Sequence, residues 1–549
     1  MKVKTARSDK IVLAAILVAA AILRFWGYPS YFPAFWDEAK YLDEVEGIIP
    51  YFSVNAGAFA ILKLAHAVAD RPYYAQFATA LFGLFTVFGC YLLGRRILEG
   101  RRGAETLGLL MAGQAALMPY YLSYSRHALA AGFALCFFVF ALYFYLARLQ
   151  PPGKGRPQSG RRRLTEQILS VVLLALVPAC SSNLFLPTVI WFIAAELIVW
   201  YAARRPGRTL RPDWELIGAF MWGASAFLIV PAVVATISGY AGWWTRMLDL
   251  FGFHTKVSTM RAAFHFLYPI HVYYLAGLPV AIAAVAGILL LPFRSKAHTI
   301  PAARLHTDLL LGTSFIVYLV FFGCFSHLQA ARLYALTLPF LAYAAARGVL
   351  GARALPGRFG PPAFWAVCVL LGASLVWKSG DYLSKTSQVR GASDEIVRQL
   401  KPNQMIHANA KDQIAYGINT SPAYSNVFHG VTSLLTLREL KINPDVPPIV
   451  VIQDGVNLVS LIATYDKWNV FPPIDDLRDR LRVLRLFADL PDRMYAAAED
   501  FYTSPYYYLE DVYSRRCYSY IRTLMPEARD SIFVCVFHPA DTARFRPGP

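Results

Sequence analysis

From its N-terminus to about residue 378, this sequence returns repeatedly to apolar runs of about 17 to 25 residues, each long enough to cross a hydrocarbon core roughly 30 Å thick. Lipid offers no partner for a backbone N–H or C=O, so each such run can only be a helix. The runs fall at 11–26, 74–94, 105–124, 128–147, 166–180, 184–201, 215–237, 269–292, 308–326, 330–349 and 362–378, about eleven in all. The first follows MKVKTARSDK, lacks a small-residue cleavage site and continues into RFWGYPSYF. It therefore reads as a retained helix and not as a signal peptide. Charged residues are only 16% of the 549, where a soluble chain carries about a quarter. The pattern is that of a polytopic α-helical membrane protein.

A net charge of +18 invites a nucleic-acid reading, and the placement of the charge excludes it. Lys and Arg concentrate in short connections: RRILEGRR (95–102), RLQPPGKGRPQSGRRR (148–163), ARRPGRTLR (203–211), RSKAHTIPAARLH (294–306) and ARGVLGARALPGR (346–358). Putting these and the N-terminus in the cytoplasm satisfies the positive-inside rule, with anionic lipid headgroups as secondary partners. An odd number of crossings then leaves the C-terminus outside, in an arrangement suited to a bacterial inner membrane. Two outer connections are long, residues 27–73 and 238–268, and the second is rich in aromatic rings that suit the interface.

Past residue 378 the character changes, dividing the chain into a membrane domain (1–378) and a soluble extracytoplasmic α/β domain (379–549). MIHANA (405–410), PPIVVIQ (447–453) and SIFVCVF (531–537) predict strands, while SDEIVRQLK (393–401) and DDLRDRLRVLRLFADL (475–490) predict helices. Five cysteines lie in apolar runs as small hydrophobes, and Cys517 and Cys535 both fall in the C-terminal region, where a disulfide between them would need a geometry that sequence does not show. No CxxC, Walker loop or GxGxxG is present, so no metal or cofactor is demanded, and a divalent ion remains compatible with the acidic residues.

Chemistry, if the chain performs any, centres on YPSYFPAFWDEAKYLDEVEG (28–47), which sets Asp37 and Glu38 side by side just outside the first helix. Asp37 suits an N-cap of the following segment, and Glu38 a solvated face. Phe35 and Trp36 bring rings to the membrane surface beside them, and a partly buried carboxylate is the better base at neutral pH.

Arg24 in ILRFWG, then WDEAKY, then RPYYAQFATALFGLFTVFGCYLLGRR (71–96) and YLSYSRHALAAGFALCFFVFALYFYLAR (121–148), in that order, resemble the GT-C superfamily of polyprenyl-phosphate-sugar-dependent glycosyltransferases. The similarity is to its protein O-mannosyltransferase and lipid A aminoarabinose transferase branch, and PIHVYYLAGLP (269–279) and HLQAARLYALTLPFLAY (327–343) resemble later elements. The resemblance implies transfer of a sugar from a polyprenyl-phosphate donor to an acceptor glycan, lipid or protein outside the membrane, with inversion. Asp37 would be the base and Glu38 its orienting neighbour. Arg126 and Arg332 would be the cations on the lipid phosphate, since Arg binds phosphate oxygens bidentately. Arg24 and Lys63 are further donor-binding candidates, and Tyr273 and Tyr274 candidates for the substrate cleft.

The chain departs from the family's pattern where His-Pro-Pro or Lys-Pro usually follows the first helix. Here Ser53, Val54 and Asn55 stand, with Lys63 and His66 the nearest cations downstream. Asn183 likewise occupies a place where relatives often carry a basic residue, and Arg332 is followed by Leu333-Tyr334 where Arg-Tyr is usual. Two other functions fit a polytopic chain: a transporter or flippase of lipid-linked saccharide, and a non-catalytic binder of one. Transport is disfavoured by helices nearly free of mid-span charge and by the lack of duplicated halves.

Overall fold

The computed structural model describes residues 2–26, 41–42, 44–47, 55–68, 73–99, 103–146, 160–203, 278–293, 302–321, 335–353 and 357–384, with single positions between 217 and 229, residues 396, 397, 405 and 418, and five strands. The chain divides into two compact units, residues 1–29 with 44–383 and residues 30–43 with 384–549.

The first unit is helical. Its elements are α1 (Lys2–Phe25), α2 (Ala56–Val68), α3 (Tyr73–Ile97), α4 (Ala104–Leu117), α5 (Pro119–Tyr124), α6 (Ala130–Leu146), α7 (Gly160–Cys180), α8 (Phe185–Ala203), α9 (Leu278–Phe293), α10 (Ala302–Val320), α11 (Leu338–Arg353) and α12 (Gly360–Ser384). Every expected apolar run except 215–237 overlaps at least one of these helices, and in that run only scattered positions are described. Among the described residues, Tyr74–Ile97, Ala335–Arg353 and Gly360–Gly380 are long and apolar enough to cross a membrane.

Two expectations need correction, and one connection gains an element. The run 105–124 is not one helix: Pro119 disfavours helical backbone at the residue before it, and Met118 is extended at φ −68°, ψ 120°. The long connection 27–73 contains an apolar helix, α2, whose thirteen residues are too few for a span. Nor are the helices free of mid-span charge. Glu196, eleven residues into α8, is buried and accepts a hydrogen bond from Tyr145 Oη of α6 at 2.7 Å.

Small residues set the closest helix crossings. Without a hydrophobic drive between helices in lipid, association depends on backbone approach and packing. Ala283 and Gly287 on α9 face Ala344 and Gly348 on α11, a small-xxx-small pair on each helix. A Cβ at Gly287 would collide with the Ala344 carbonyl, and one at Gly348 with the Ala283 carbonyl. On α3 and α4, a Cβ at Gly94 would lie 2.7 Å from the Gly108 Cα. Between such crossings sit large rings. Phe138 of α6 meets Trp191 of α8 edge-on at 5.2 Å and Tyr318 of α10 at 5.8 Å, and Tyr318 shares a 2.8 Å hydrogen bond with Thr188. Asp308 of α10 takes both oxygens' bonds from Arg347 Nη1 of α11 at 2.8 Å, with Tyr343 Oη on the same carboxylate.

In the second unit, strands form where MIHANA, PPIVVIQ and SIFVCVF predict them: β1 (Ile406–Ala408), β3 (Ile449–Gln453) and β5 (Ser531–Val536). With β2 (Val431–Ser433) and β4 (Tyr495–Ala496) they make a sheet of order β2-β1-β3-β5-β4. The β1 strand runs parallel to β2 and β3, while β5 is antiparallel to β3 and β4, with Val450 opposite Cys535. Cys517 and most of the two expected helices lie outside the described residues.

Candidate functional site

The break at Met118 creates a problem that a distant arginine solves. A helix ending at Leu117 leaves its last carbonyls without intrahelical partners. Gln114 O receives the Met118 N–H at 2.8 Å, and Leu117 O receives Ser379 Oγ from α12. Ala115 O and Ala116 O receive Arg24 Nη2 at 3.1 Å and Nη1 at 3.3 Å, from the last turn of α1. Nη1 also donates to Ala20 O at 3.1 Å, and the guanidinium lies 5.2 Å from the Tyr121 ring centroid. Arg24 is fully buried. A cation here also meets the negative end of the α4 dipole. Gly83 of α3 leaves it room, since a Cβ there would come within 2.6 Å of Arg24 Nε.

Arg126 makes the reverse connection. It follows α5 in the turn before α6, and donates from Nη1 to Leu23 O at 2.8 Å and from Nη2 to Trp26 O at 2.6 Å. The C-terminal end of α1 is thus held by an arginine near the end of α5, while α1 sends its own arginine to the end of α4. Arg126 is half-buried where Arg24 is enclosed, so it keeps a face toward solvent.

A second cluster gathers where residues 44–47 meet α2 and α3. Lys63 Nζ donates to Val45 O at 2.5 Å, and Tyr74 Oη donates to Glu46 Oε1 at 3.2 Å. His66 stands edge-on to the Tyr74 ring at 4.9 Å, joining α2 to α3. Two residues along α3, Gln76 Nε2 donates to Arg24 O at 3.2 Å. Glu44 is buried, and Gly47, at φ +77°, closes the turn with its N–H on Glu44 O at 3.3 Å. The start of α2 is fixed separately: Asn55 Oδ1 accepts from Ser182 N at 2.9 Å and Ser182 Oγ at 3.2 Å, in the turn between α7 and α8.

Of the residues singled out in the sequence, then, Arg24, Arg126 and Lys63 are all placed on backbone carbonyls, and Asp37, Glu38, Arg332, Tyr273 and Tyr274 lie outside the described residues. Two positions noted as departures from the family, Asn55 and the CSSN turn holding Asn183, prove to be neighbours through Ser182. Tyr74 and Gln76 belong to no catalytic or binding motif of the sequence; their only signal there is a pair of hydrogen-bonding side chains in the first turn of a largely apolar helix.

No protein-family model and no curated protein matches the sequence. Solved structures do. The apo state of ArnT from Cupriavidus metallidurans superposes with a TM-score of 0.54 at 11% identity, over 99% of this chain and 100% of that one. The same enzyme bound to undecaprenyl phosphate gives 0.50 at 12%, over 95% and 97%. The archaeal oligosaccharyltransferase AglB from Archaeoglobus fulgidus, in complex with an inhibitory peptide and a dolichol-phosphate, gives 0.50 at 12%, over 82% and 70%. At such identities the likeness establishes a shared fold. The chain is a helical membrane protein that shares the fold of these ArnT and AglB structures.

Proposed function

We propose that this chain is an integral-membrane glycosyltransferase, moving a sugar from a polyprenyl-phosphate donor to an acceptor on the extracytoplasmic side. The observation that carries this reading is the fold shared along the full length of both chains with ArnT, a protein captured with undecaprenyl phosphate. In this reading Asp37 removes the proton of the acceptor nucleophile as it attacks the anomeric carbon from the face opposite the phosphate, inverting configuration. Glu38 orients the acceptor. The leaving group is a phosphate, whose low basicity removes the need for a general acid provided cations stabilise the developing charge. Arg126, half-exposed beside the end of α1, and Arg332 are the cations assigned to that task, and Lys63 is a further contact at the same membrane face. Tyr273 and Tyr274 line the sugar cleft. Residues 1–378 form the membrane domain and 379–549 the extracytoplasmic one, with the N-terminus in the cytoplasm of a bacterial inner membrane. No metal is required.

Native mass spectrometry of the protein in mild detergent with added undecaprenyl phosphate tests the donor, with Arg126→Ala alongside. Binding by the wild type that weakens in the variant supports both assignments. Transfer from a synthetic lipid-phosphate sugar tests the base: Asp37→Asn should abolish it, and an Asp37→Asn protein of undiminished turnover would refute the mechanism.

A non-catalytic binder of lipid-linked saccharide is the second reading. Its support is Asn55, a neutral side chain already engaged by Ser182 at a place where the family resemblance leads one to expect a His or Lys. Binding of undecaprenyl phosphate without transfer of any attached sugar would favour it.

A further inference from the structure

Two of the three described helices that can cross a membrane follow one another in the chain, and the turn between them has to meet the membrane surface. The span Ala335–Arg353 ends at Arg353 and the span Gly360–Gly380 opens at Gly360. Arg353, the last residue of α11, and Arg358 and Phe359, in the short helical turn that leads into α12, therefore stand at headgroup depth. Both arginines are exposed.

Their partners set them apart from the other arginines whose side chains are described. Arg24 and Arg126 are engaged by main-chain carbonyls. Arg95, Arg96 and Arg347 are engaged by carboxylates: Glu105, Glu99 with Glu166, and Asp308. No described residue takes a hydrogen bond or an ion pair from Arg353 or Arg358. Each lies over a ring instead, Arg353 Cζ at 5.7 Å from the Phe364 centroid and Arg358 Cζ at 5.7 Å from that of Phe359. A guanidinium over a ring uses its flat face and leaves its N–H edge open, and that edge matches the oxygens of a phosphate.

Below the turn, α12 gives the bundle a single seam of Phe364, Leu371, Leu375 and Ser379. Only 22% of its apolar window is buried, against 72% for the span before it. The outward face begins with Trp365, Val369 and Leu370, which are 66%, 66% and 63% exposed. Trp365 lies five residues into α12, about 7.5 Å along its axis, which is an interfacial depth for an indole ring.

We propose that Arg353 and Arg358 form a headgroup site for an anionic phospholipid, whose acyl chains lie along the Trp365–Leu370 face of α12. Charge decides the headgroup. Two cations with no described carboxylate on them favour a net negative headgroup over a zwitterionic one, whose ammonium would face the same arginines. The apolar face decides that the ligand is a lipid and not free phosphate, because it continues from the arginines into the hydrocarbon. The site is separate from the sugar chemistry and does not depend on it.

The test is native mass spectrometry of the full-length protein in mild detergent, with phosphatidylglycerol or phosphatidylcholine added. The proteins are wild type, Arg353→Gln, Arg358→Gln, the double variant, and Lys10→Gln, which removes an exposed cation of α1 as the control. A basic side chain at an anionic lipid surface contributes about fivefold in affinity, so the double variant should bind phosphatidylglycerol about 30-fold more weakly than wild type. Each single variant should lose about fivefold, which decides the matter if the double variant cannot be extracted folded. Phosphatidylcholine binding should not change in any variant, and Lys10→Gln should bind both lipids as wild type does. Undiminished phosphatidylglycerol binding by the arginine variants would overturn the proposal. So would an equal loss in Lys10→Gln, the mark of diffuse charge, or equal affinity of the wild type for the two lipids. Undecaprenyl phosphate that displaces phosphatidylglycerol from the wild type would assign the arginines to the sugar donor instead. A dimer that forms without added lipid and takes up none would give the α12 face to a second copy of the chain, and the proposal would fall.

Discussion

Replacing Arg24 by Met separates a structural arginine from a phosphate-binding one. The substitution keeps most of the side-chain volume and removes every donor. Ala115 O and Ala116 O then lose their partners in an enclosed site, at about 1–3 kcal/mol each. The lost contact with the Tyr121 ring adds up to about 2 kcal/mol for a desolvated pair. Against this, the variant no longer buries a guanidinium, which offsets part of the loss. A net destabilisation of about 3 kcal/mol results, and in a chain of this size it lowers the unfolding temperature by on the order of 5 °C. Thermal unfolding followed with a thiol-reactive fluorophore suits this protein, because Cys90, Cys136 and Cys180 are buried free thiols that react only as the bundle opens. Arg24→Lys should fall between the two: a single ammonium cannot fork onto two carbonyls as a guanidinium does. An Arg24→Met protein that unfolds at the wild-type temperature would refute the account. Loss of undecaprenyl phosphate binding at that unchanged temperature would show Arg24 to be a donor ligand instead.

Gly287→Leu should push α9 away from α11, since even its Cβ collides with the Ala344 carbonyl; detergent-extracted yield and unfolding temperature should both fall. Gly113→Ala, with nothing within 4 Å of the added carbon, is the control and should unfold no lower than wild type. Asp308→Asn strips the counter-charge from Arg347 in a pair with side chains 12% and 9% exposed, and should destabilise by about 3–5 kcal/mol. Replacing both partners with apolar residues of similar volume should recover most of that loss, which a double-mutant cycle on unfolding temperature would reveal.

The helices of the membrane unit were legible because each solves its backbone hydrogen bonding locally. A run of Leu, Ala, Val and Phe such as AAGFALCFFVFALYFYL dictates a helix whatever its neighbours are, and α6 appears where that run lies. Pro119 marks the break in 105–124 just as locally, although the hydropathy on either side runs through it. The strands at 406–408, 449–453 and 531–536 were equally readable from short β-branched runs bounded by polar residues. Glu196, by contrast, was visible as a letter, and only its bond to Tyr145 says why a carboxylate is tolerated inside α8.

The roles of the three arginine and lysine candidates lie at the other extreme. Arg24 stands in the sequence as a cation at a membrane surface, and nothing near it predicts that its partners are carbonyls 91 and 92 residues away. Arg126 and Trp26 are 100 residues apart, and Asn55 and Ser182 are 127 apart. Local sequence decides which segments are helices, because the donors and acceptors of a helix lie four residues apart. Which cation meets which orphaned carbonyl depends on how the helix ends are brought together, and that is settled by packing among residues such as Gly83, Gly94 and Gly108, whose small size is meaningful only once a neighbour is in place.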